Sequence, residues 1–273
     1  MRSQRLIAAA ALAALAACGP PRAPPPNLSL DPAELLAQVK GAQARVRSVR
    51  GEARVRVDGE GMKGSVRELV AAEKPDRLRV DTLDFFGNPV AQLATSGGRF
   101  TLYDARAKVV YRGAATPANL SRLIPLPLPA DALVTILCGS APLVDGRPER
   151  AEPGQGIVVL ALAADGRTQR LEIGEHAAIE RSERTGPGAY DLRFEHFRSR
   201  PGGRLPNDLV LRSAAPRVAL ELHWSEVEVN ADVEPALFRI EPPRGVRVVD
   251  LDAAGAEAPP DVYRGPEPPA PGT

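Results

Sequence analysis

Few side chains in this sequence are placed to make or break bonds. His176, His196 and His223 are its three histidines, and none sits in the His-Glu-x-x-His spacing that holds zinc on one helical face. His196 and His223 fall in alternating runs, where a histidine is more often a surface or hydrogen-bonded residue than a ligand. Ser140 follows Gly139 but lacks the flanking pattern of a nucleophile elbow. Gly59-Glu60-Gly61-Met62-Lys63-Gly64 matches G-x-G-x-x-G, yet it lies between two strand patterns instead of opening a helix, so it reads as a flexible hairpin. No catalytic group, metal or dissociable cofactor is expected. The thiols remain. Cys138 lies in an apolar run and reads as a small buried residue. Cys18 is different, because it directly follows the small residues Ala16 and Ala17 and precedes Gly19.

The residues before Cys18 explain its setting. Arg2 and Arg5 give a positive start, and Ile7 to Ala16 is uncharged and rich in Ala and Leu. This apolar run is shorter than the ~20 residues that span a bilayer. It has the layout of a secretory signal, and Leu15-Ala16-Ala17-Cys18-Gly19 resembles the bacterial lipobox. The resemblance implies cleavage before Cys18, a diacylglycerol unit on its thiol and an acyl group on the new amine. The covalent lipid on Cys18 would then be the membrane anchor. In well-studied diderm bacteria an Asp after the cysteine retains a lipoprotein in the inner membrane. Gly19 stands there instead, which points to the periplasmic face of the outer membrane.

The chain divides into four parts. Residues 1–17 form the signal, and 18–30 form a proline-rich tether that acts as a semi-rigid spacer. Residues 31–252 make one domain, and 253–273 make a disordered tail rich in Pro, Ala and Gly. With Cys18 lipidated, Cys138 has no partner for a disulfide within the chain. Lys and Arg number 35 against 34 Asp and Glu, so there is no clustered basic excess and no nucleic-acid partner is expected. Hydrophobic residues make up 44% of the chain, enough for a real core. The domain is expected to be a monomer.

A helix must open the domain. Asp31-Pro32-Ala33-Glu34 supplies an acidic cap, a proline at the first helical position and a glutamate three residues on. Leu35, Leu36, Val39, Ala42, Val46 and Val49 follow as one apolar stripe. After Gly51 the period becomes two: Ala53, Val55 and Val57 face one way, and Arg54, Arg56 and Asp58 the other. Alternating runs recur through Val66–Ala72, Arg77–Asp81, Val90–Ser96, Arg99–Asp104 and Lys108–Arg112. They return at Gly156–Leu162, Thr168–Ile173, Ile179–Thr185, Tyr190–Phe197, Asp208–Ser213, Val218–Ser225 and Val227–Val229, with short turns between several of them. The fold class is therefore mainly β with some α: a curled antiparallel half-barrel sheet whose apolar face needs a cover. The N-terminal helix supplies part of the cover. A second, apolar helix over Ala130–Cys138, preceded by Pro125-Leu126-Pro127-Leu128-Pro129 and ended by Gly139, supplies the rest.

This order of features resembles the LolA/LolB family. Val49-Arg50-Gly51-Glu52-Ala53 stands at the helix-to-strand junction and Leu83-Asp84-Phe85-Phe86-Gly87 on a loop. Phe100-Thr101-Leu102-Tyr103-Asp104, the Pro-Leu-Pro lid and Arg204-Leu205-Pro206-Asn207 follow. Leu237-Phe238-Arg239-Ile240-Glu241-Pro242-Pro243-Arg244-Gly245-Val246 closes the series. The resemblance covers Asp31 to Leu251; the long proline-rich tail departs from it. It implies a lipoprotein carrier, and Cys18 selects the anchored, LolB-like role. Such a protein takes acylated lipoprotein clients from a periplasmic LolA-like carrier and releases them into the outer membrane. Phe85, Phe86 and Gly87 occupy the place of the family's membrane-insertion loop. Either at least one of the two rings protrudes, or Phe85 plugs the sheet and Phe86 caps its rim.

Binding would rest on burial, since even ten exposed methylenes cost on the order of 8 kcal/mol. Candidate lining and lid residues are Val55, Val57, Leu78, Val80, Leu93, Leu133, Leu137, Leu192, Phe194, Leu220 and Leu222, each of which could equally be plain core. Two other roles fit the same fold: a sensor of lipid or lipoprotein signals, and a structural envelope lipoprotein with a filled, inert cavity.

Overall fold

The computed structural model describes residues 22–59, 62–123, 128–164, 166–215 and 217–253. Cys18, Pro125, Leu126, Pro127 and the tail beyond Ala253 lie outside the described residues.

Helix α1 (Pro32–Arg45) starts as its sequence dictates: the Asp31 carboxylate accepts the Glu34 amide at 2.8 Å, and Pro32 occupies the first turn. The helix is shorter than its apolar stripe. Val46 is already extended, and Val49 lies on β1 (Ser48–Gly59), fully buried. The cause is distant in sequence. The Asn230 side chain accepts the Arg47 amide at 2.7 Å and donates to the carbonyls of Arg45 (2.8 Å) and Gly202 (2.7 Å). That clamp satisfies the backbone groups a helix end leaves open and turns the chain into the sheet.

The first meander continues through β2 (Met62–Glu73), β3 (Arg77–Leu83), β4 (Pro89–Ser96), β5 (Arg99–Asp104) and β6 (Val109–Ala114). Helices α2 (Pro117–Leu120) and α3 (Ala130–Leu137) follow. The second meander comprises β7 (Arg147–Pro153), β8 (Val158–Ala164), β9 (Arg167–Ile173), β10 (Ile179–Arg184), β11 (Tyr190–Arg200), β12 (Gly203–Ala214) and β13 (Arg217–Val229). A short β14 (Arg247–Asp250) ends the sheet. Together they form one 14-stranded sheet in the order β14-β6-β5-β4-β3-β2-β1-β13-β12-β11-β10-β9-β8-β7, which curls without closing. The two meanders join where β1 pairs with β13, through Val55 opposite Leu222 and Val57 opposite Leu220.

Two expectations need correction, and one strand was not foreseen. The sheet is not wholly antiparallel, because β14 pairs with β6 in parallel. Val218–Ser225 and Val227–Val229 are one strand: a bulge sets Glu52 opposite Glu226 and Ala53 opposite Trp224, so Ser225 is the extra residue that breaks the alternation. Gly51 stands beside it, where a Cβ would lie 2.0 Å from the Glu226 carbonyl oxygen. Finally, β7 has no apolar alternation. It is an edge strand carrying Pro148, Pro153 and the charges of Arg147, Glu149, Arg150 and Glu152, a composition that discourages further pairing.

The two longer helices cover the concave face. Helix α1 packs on β7 and β8, with Leu35, Leu36 and Val39 buried; α3 packs on β2 and β3. On the opposite face the 3-10 turn Pro235–Phe238 plugs Phe238 against Ala71 and Val233. The proline-rich stretch is not all spacer. The Arg22 carbonyl accepts the Gly156 amide at 2.8 Å, and Leu28 packs against the core, so the chain is held on the domain from Arg22 onward.

Candidate functional site

Helix α3 carries the residues that matter most. Ala130, Ala132, Leu133, Val134 and Ile136 are buried, and Leu137 is half-buried. Its C-terminal end is fixed: Gly139 has φ +76°, and a Cβ there would lie 2.6 Å from Cδ of Pro206. Its N-terminal end has Pro129 at the cap position and no side-chain cap. Cys138 closes the helix, buried, with its thiol pKa pushed up to about 11 by burial.

Beneath α3 lies a cavity of about 70 Å³. Val55 of β1, Leu78 and Val80 of β3, Leu133 and Leu137 of α3, and Leu220 and Leu222 of β13 line it. Four sequence candidates sit elsewhere in the core. Leu93 pairs with Val80 one strand farther out, and Leu192 and Phe194 pair with Leu211 and Leu209 one strand farther on the other side. Val57 lies one inward position beyond Val55 along β1. All four are buried, beyond the cavity wall.

The sequence reading missed Ile136, Leu209, Leu211 and Glu68, which complete the wall. Glu68 is 4% exposed, and the Thr82 hydroxyl donates to its carboxylate at 3.4 Å. A signal for it existed. Glu68 shares the inward register of β2 with Val66 and Val70, so the alternation itself places this carboxylate inside.

The Phe85-Phe86 loop joins β3 to β4. Both rings are in solvent, Phe85 92% exposed and Phe86 84%, so neither plugs the sheet. The loop is built, not loose. The Asp84 carboxylate accepts the amides of Phe86 and Asn88 at 2.8 Å each, and the Asp84 amide donates to the Asn88 carbonyl at 2.9 Å. The Asn88 amide, with those of Phe86 and Gly87, holds the Asp84 carboxyl below its ordinary pKa.

The strands give this loop a definite place relative to the tether. The β3–β4 turn is on the same sheet rim as the end of β1, near Gly59. The β7–β8 and β9–β10 turns, where Arg22 meets Gly156 and pairs with Glu175 at 3.6 Å, are on the opposite rim, with the start of β1.

The histidines do not converge with the cavity. His196 and His223 each place Nδ1 on one oxygen of the Asp208 carboxylate, at 2.7 and 2.5 Å, on exposed positions of β11–β13. His176 lies in the β9–β10 turn.

No family model and no curated protein matches the chain. Solved structures do. A candidate outer-membrane lipoprotein-sorting protein domain from Vibrio parahaemolyticus superposes with a TM-score of 0.54 at 13% identity, over 74% of this chain and 95% of that one. A LolA superfamily protein from Nitrosomonas europaea gives 0.53 at 14% identity, over 76% and 97%. The fold is LolA-like. A DUF1329 family protein from Desulfovibrio piger shares it too, with a TM-score of 0.56 at 11% identity over 77% of this chain and 98% of that one. The LolA-like half-barrel is thus established for this chain, and at such identities the likeness concerns the fold alone.

Proposed function

We propose that this protein is an anchored, LolA-like acyl-chain binder of the bacterial periplasm. The observation that carries the reading is the convergence of Val55, Leu78, Val80, Leu133, Leu137, Leu220 and Leu222 on one apolar cavity beneath α3, within a LolA-like fold. Acylation of Cys18 fixes the chain to the periplasmic face of the outer membrane. An acylated lipoprotein client arrives on a soluble LolA-like carrier, its chain enters under α3, and it leaves into the bilayer. The work is burial, with no bond made or broken.

The cavity's size sets a condition. Its volume of about 70 Å³ is well below the ~300 Å³ at which ligand pockets begin. The helix must therefore lift to admit an acyl chain, swinging from Pro129 about the fixed Gly139 end. Phe85 and Phe86, exposed on the rim away from Arg22, are the first apolar surface an incoming chain meets. For them to enter the leaflet that holds Cys18, residues 22–30 must leave the domain. The chain from Cys18 to Asp31 would then reach ~43 Å, at about 3.3 Å per residue.

The same small volume favours a second reading, a structural envelope lipoprotein whose cavity stays filled. One experiment separates them. The chain with Cys18→Ala is purified gently and offered an acylated lipoprotein, and native mass spectrometry reads the complex. Uptake that disappears with Leu133→Ser and Leu137→Ser supports the binder. No uptake by the parent chain leaves the structural reading.

A further inference from the structure

A second, larger cleft of about 630 Å³ opens on the rim where Arg22 is held. The C-terminal end of α1, the residues after α3, the β9–β10 turn and the β11–β12 turn line it. Its size falls within the ~300–1,000 Å³ of small-ligand pockets. Ala42, Val46, Ala177, Ile179 and Phe197 give it apolar walls. Among the described residues its ionisable lining is Arg45, His176, Arg204 and the buried Cys138, with no Asp or Glu.

Among the described residues neither arginine makes a direct salt bridge, although the Glu180 charge acts on Arg204. Arg45 donates from Nη2 to the His176 carbonyl at 2.8 Å, and Arg204 from Nη1 to the Glu175 carbonyl at 3.5 Å while its guanidinium stacks 4.7 Å over the Phe197 ring. Each guanidinium carries five donors, so most remain for an anion. Of the nearby acids, Glu175 pairs with Arg22, while Glu180, whose pKa burial pushes up, lies against Gly174 and is attracted by both Arg204 and Arg22. The turn itself is strained toward this arrangement, with positive φ at both His176 (62°) and Ala177 (58°).

The cleft also lies close to the anchor point. Arg22 is four residue steps from Cys18, a reach of at most ~14 Å. While residues 22–30 stay on the domain, an acylated Cys18 therefore keeps this rim at the bilayer surface. We propose that the cleft binds the phosphate of an anionic phospholipid in the leaflet that holds Cys18, with Arg45 and Arg204 as the phosphate ligands and the apolar wall taking the start of the acyl region. The proposal rests on the anchored reading given above.

The test is flotation of the full chain carrying Cys18→Ala, so that its own lipid does not drive binding. Vesicles of phosphatidylglycerol with phosphatidylcholine are compared with vesicles of phosphatidylcholine alone. Binding to the anionic vesicles is expected, with a loss of about fivefold for each of Arg45→Gln and Arg204→Gln. Ala42→Glu, which puts a carboxylate in the cleft without touching either arginine, is expected to abolish binding, and thermal melts check that each variant folds. Equal binding to neutral vesicles, or undiminished binding by folded Ala42→Glu and by the arginine variants, overturns the proposal. So does complete competition by inorganic phosphate, which assigns the cleft to a free anion. The intact mass of the native chain is read separately. Acylated Cys18 without anionic-lipid dependence sinks the cleft alone, whereas unmodified Cys18 sinks the anchored reading and the leaflet assignment with it.

Discussion

The rings of Phe85 and Phe86 meet edge to face, with centroids 5.5 Å apart and planes at 86°, while both stand in solvent. The contact leaves the apolar area of both rings open. Replacing both with Ser is therefore expected to change stability by no more than about 0.5 kcal/mol, as for other exposed sites. Transfer of an acylated client should nevertheless fall. A thermal melt beside a transfer assay checks this, and an unchanged transfer rate would remove the loop from the mechanism.

The same loop has a defined response to acid. The Asp84 carboxyl is held below its ordinary pKa by the Asn88, Phe86 and Gly87 amides. A depressed folded pKa contributes stability that is complete above the unfolded value, about 3.9, and is lost as pH falls through the folded value. The amides of Phe86 and Asn88 should therefore stay protected from hydrogen exchange at neutral pH and lose protection only well into the acid range. Asp84→Ala should remove that protection at every pH.

Gly139 is expected to tolerate no side chain. Alanine there must hold φ near +76° and drive its Cβ against Pro206. Gly139→Ala should destabilise the fold by more than about 1 kcal/mol, read by chemical denaturation. A neutral effect would show that the end of α3 is free to shift, and the proposed hinge would have to move.

Asn230 makes three hydrogen bonds from one side chain and has φ +55°. At about 0.5–1.5 kcal/mol net for each bond, Asn230→Ala should cost roughly 2–4 kcal/mol. Asn230→Gly should cost less than alanine, because glycine adopts the backbone angle freely. Equal losses for both variants would mean that the bonds, not the backbone, carry the effect.

The period-two runs made most strands legible, because one apolar face and one polar face must alternate wherever a sheet has a core side and a solvent side. The cap at Asp31 and the end of α3 at Gly139 were legible for local reasons. The end of α1 was not, since Val46 and Val49 keep the helical spacing and the clamp that ends the helix comes from Asn230. The parallel strand β14 was also hidden: four residues beside a proline-rich stretch carry no period of their own. At the cavity, alternation gave the inward face but not the reach of the helix above it. Val57, Leu93, Leu192 and Phe194 share that face and still lie outside the wall.

The pairing of β1 with β13 has a temporal consequence. Each meander can form from neighbours in sequence, but the midline of the sheet needs Val55 and Leu222 together. Until the chain is complete through Val229, β1 is an open edge and the floor beneath α3 lacks Leu220 and Leu222. Such a long-range closure is slow by its nature. A chain emerging from its N-terminus would thus pass through a half-sheet with exposed apolar strands, and this interval, more than the finished domain, is when it would need help against aggregation.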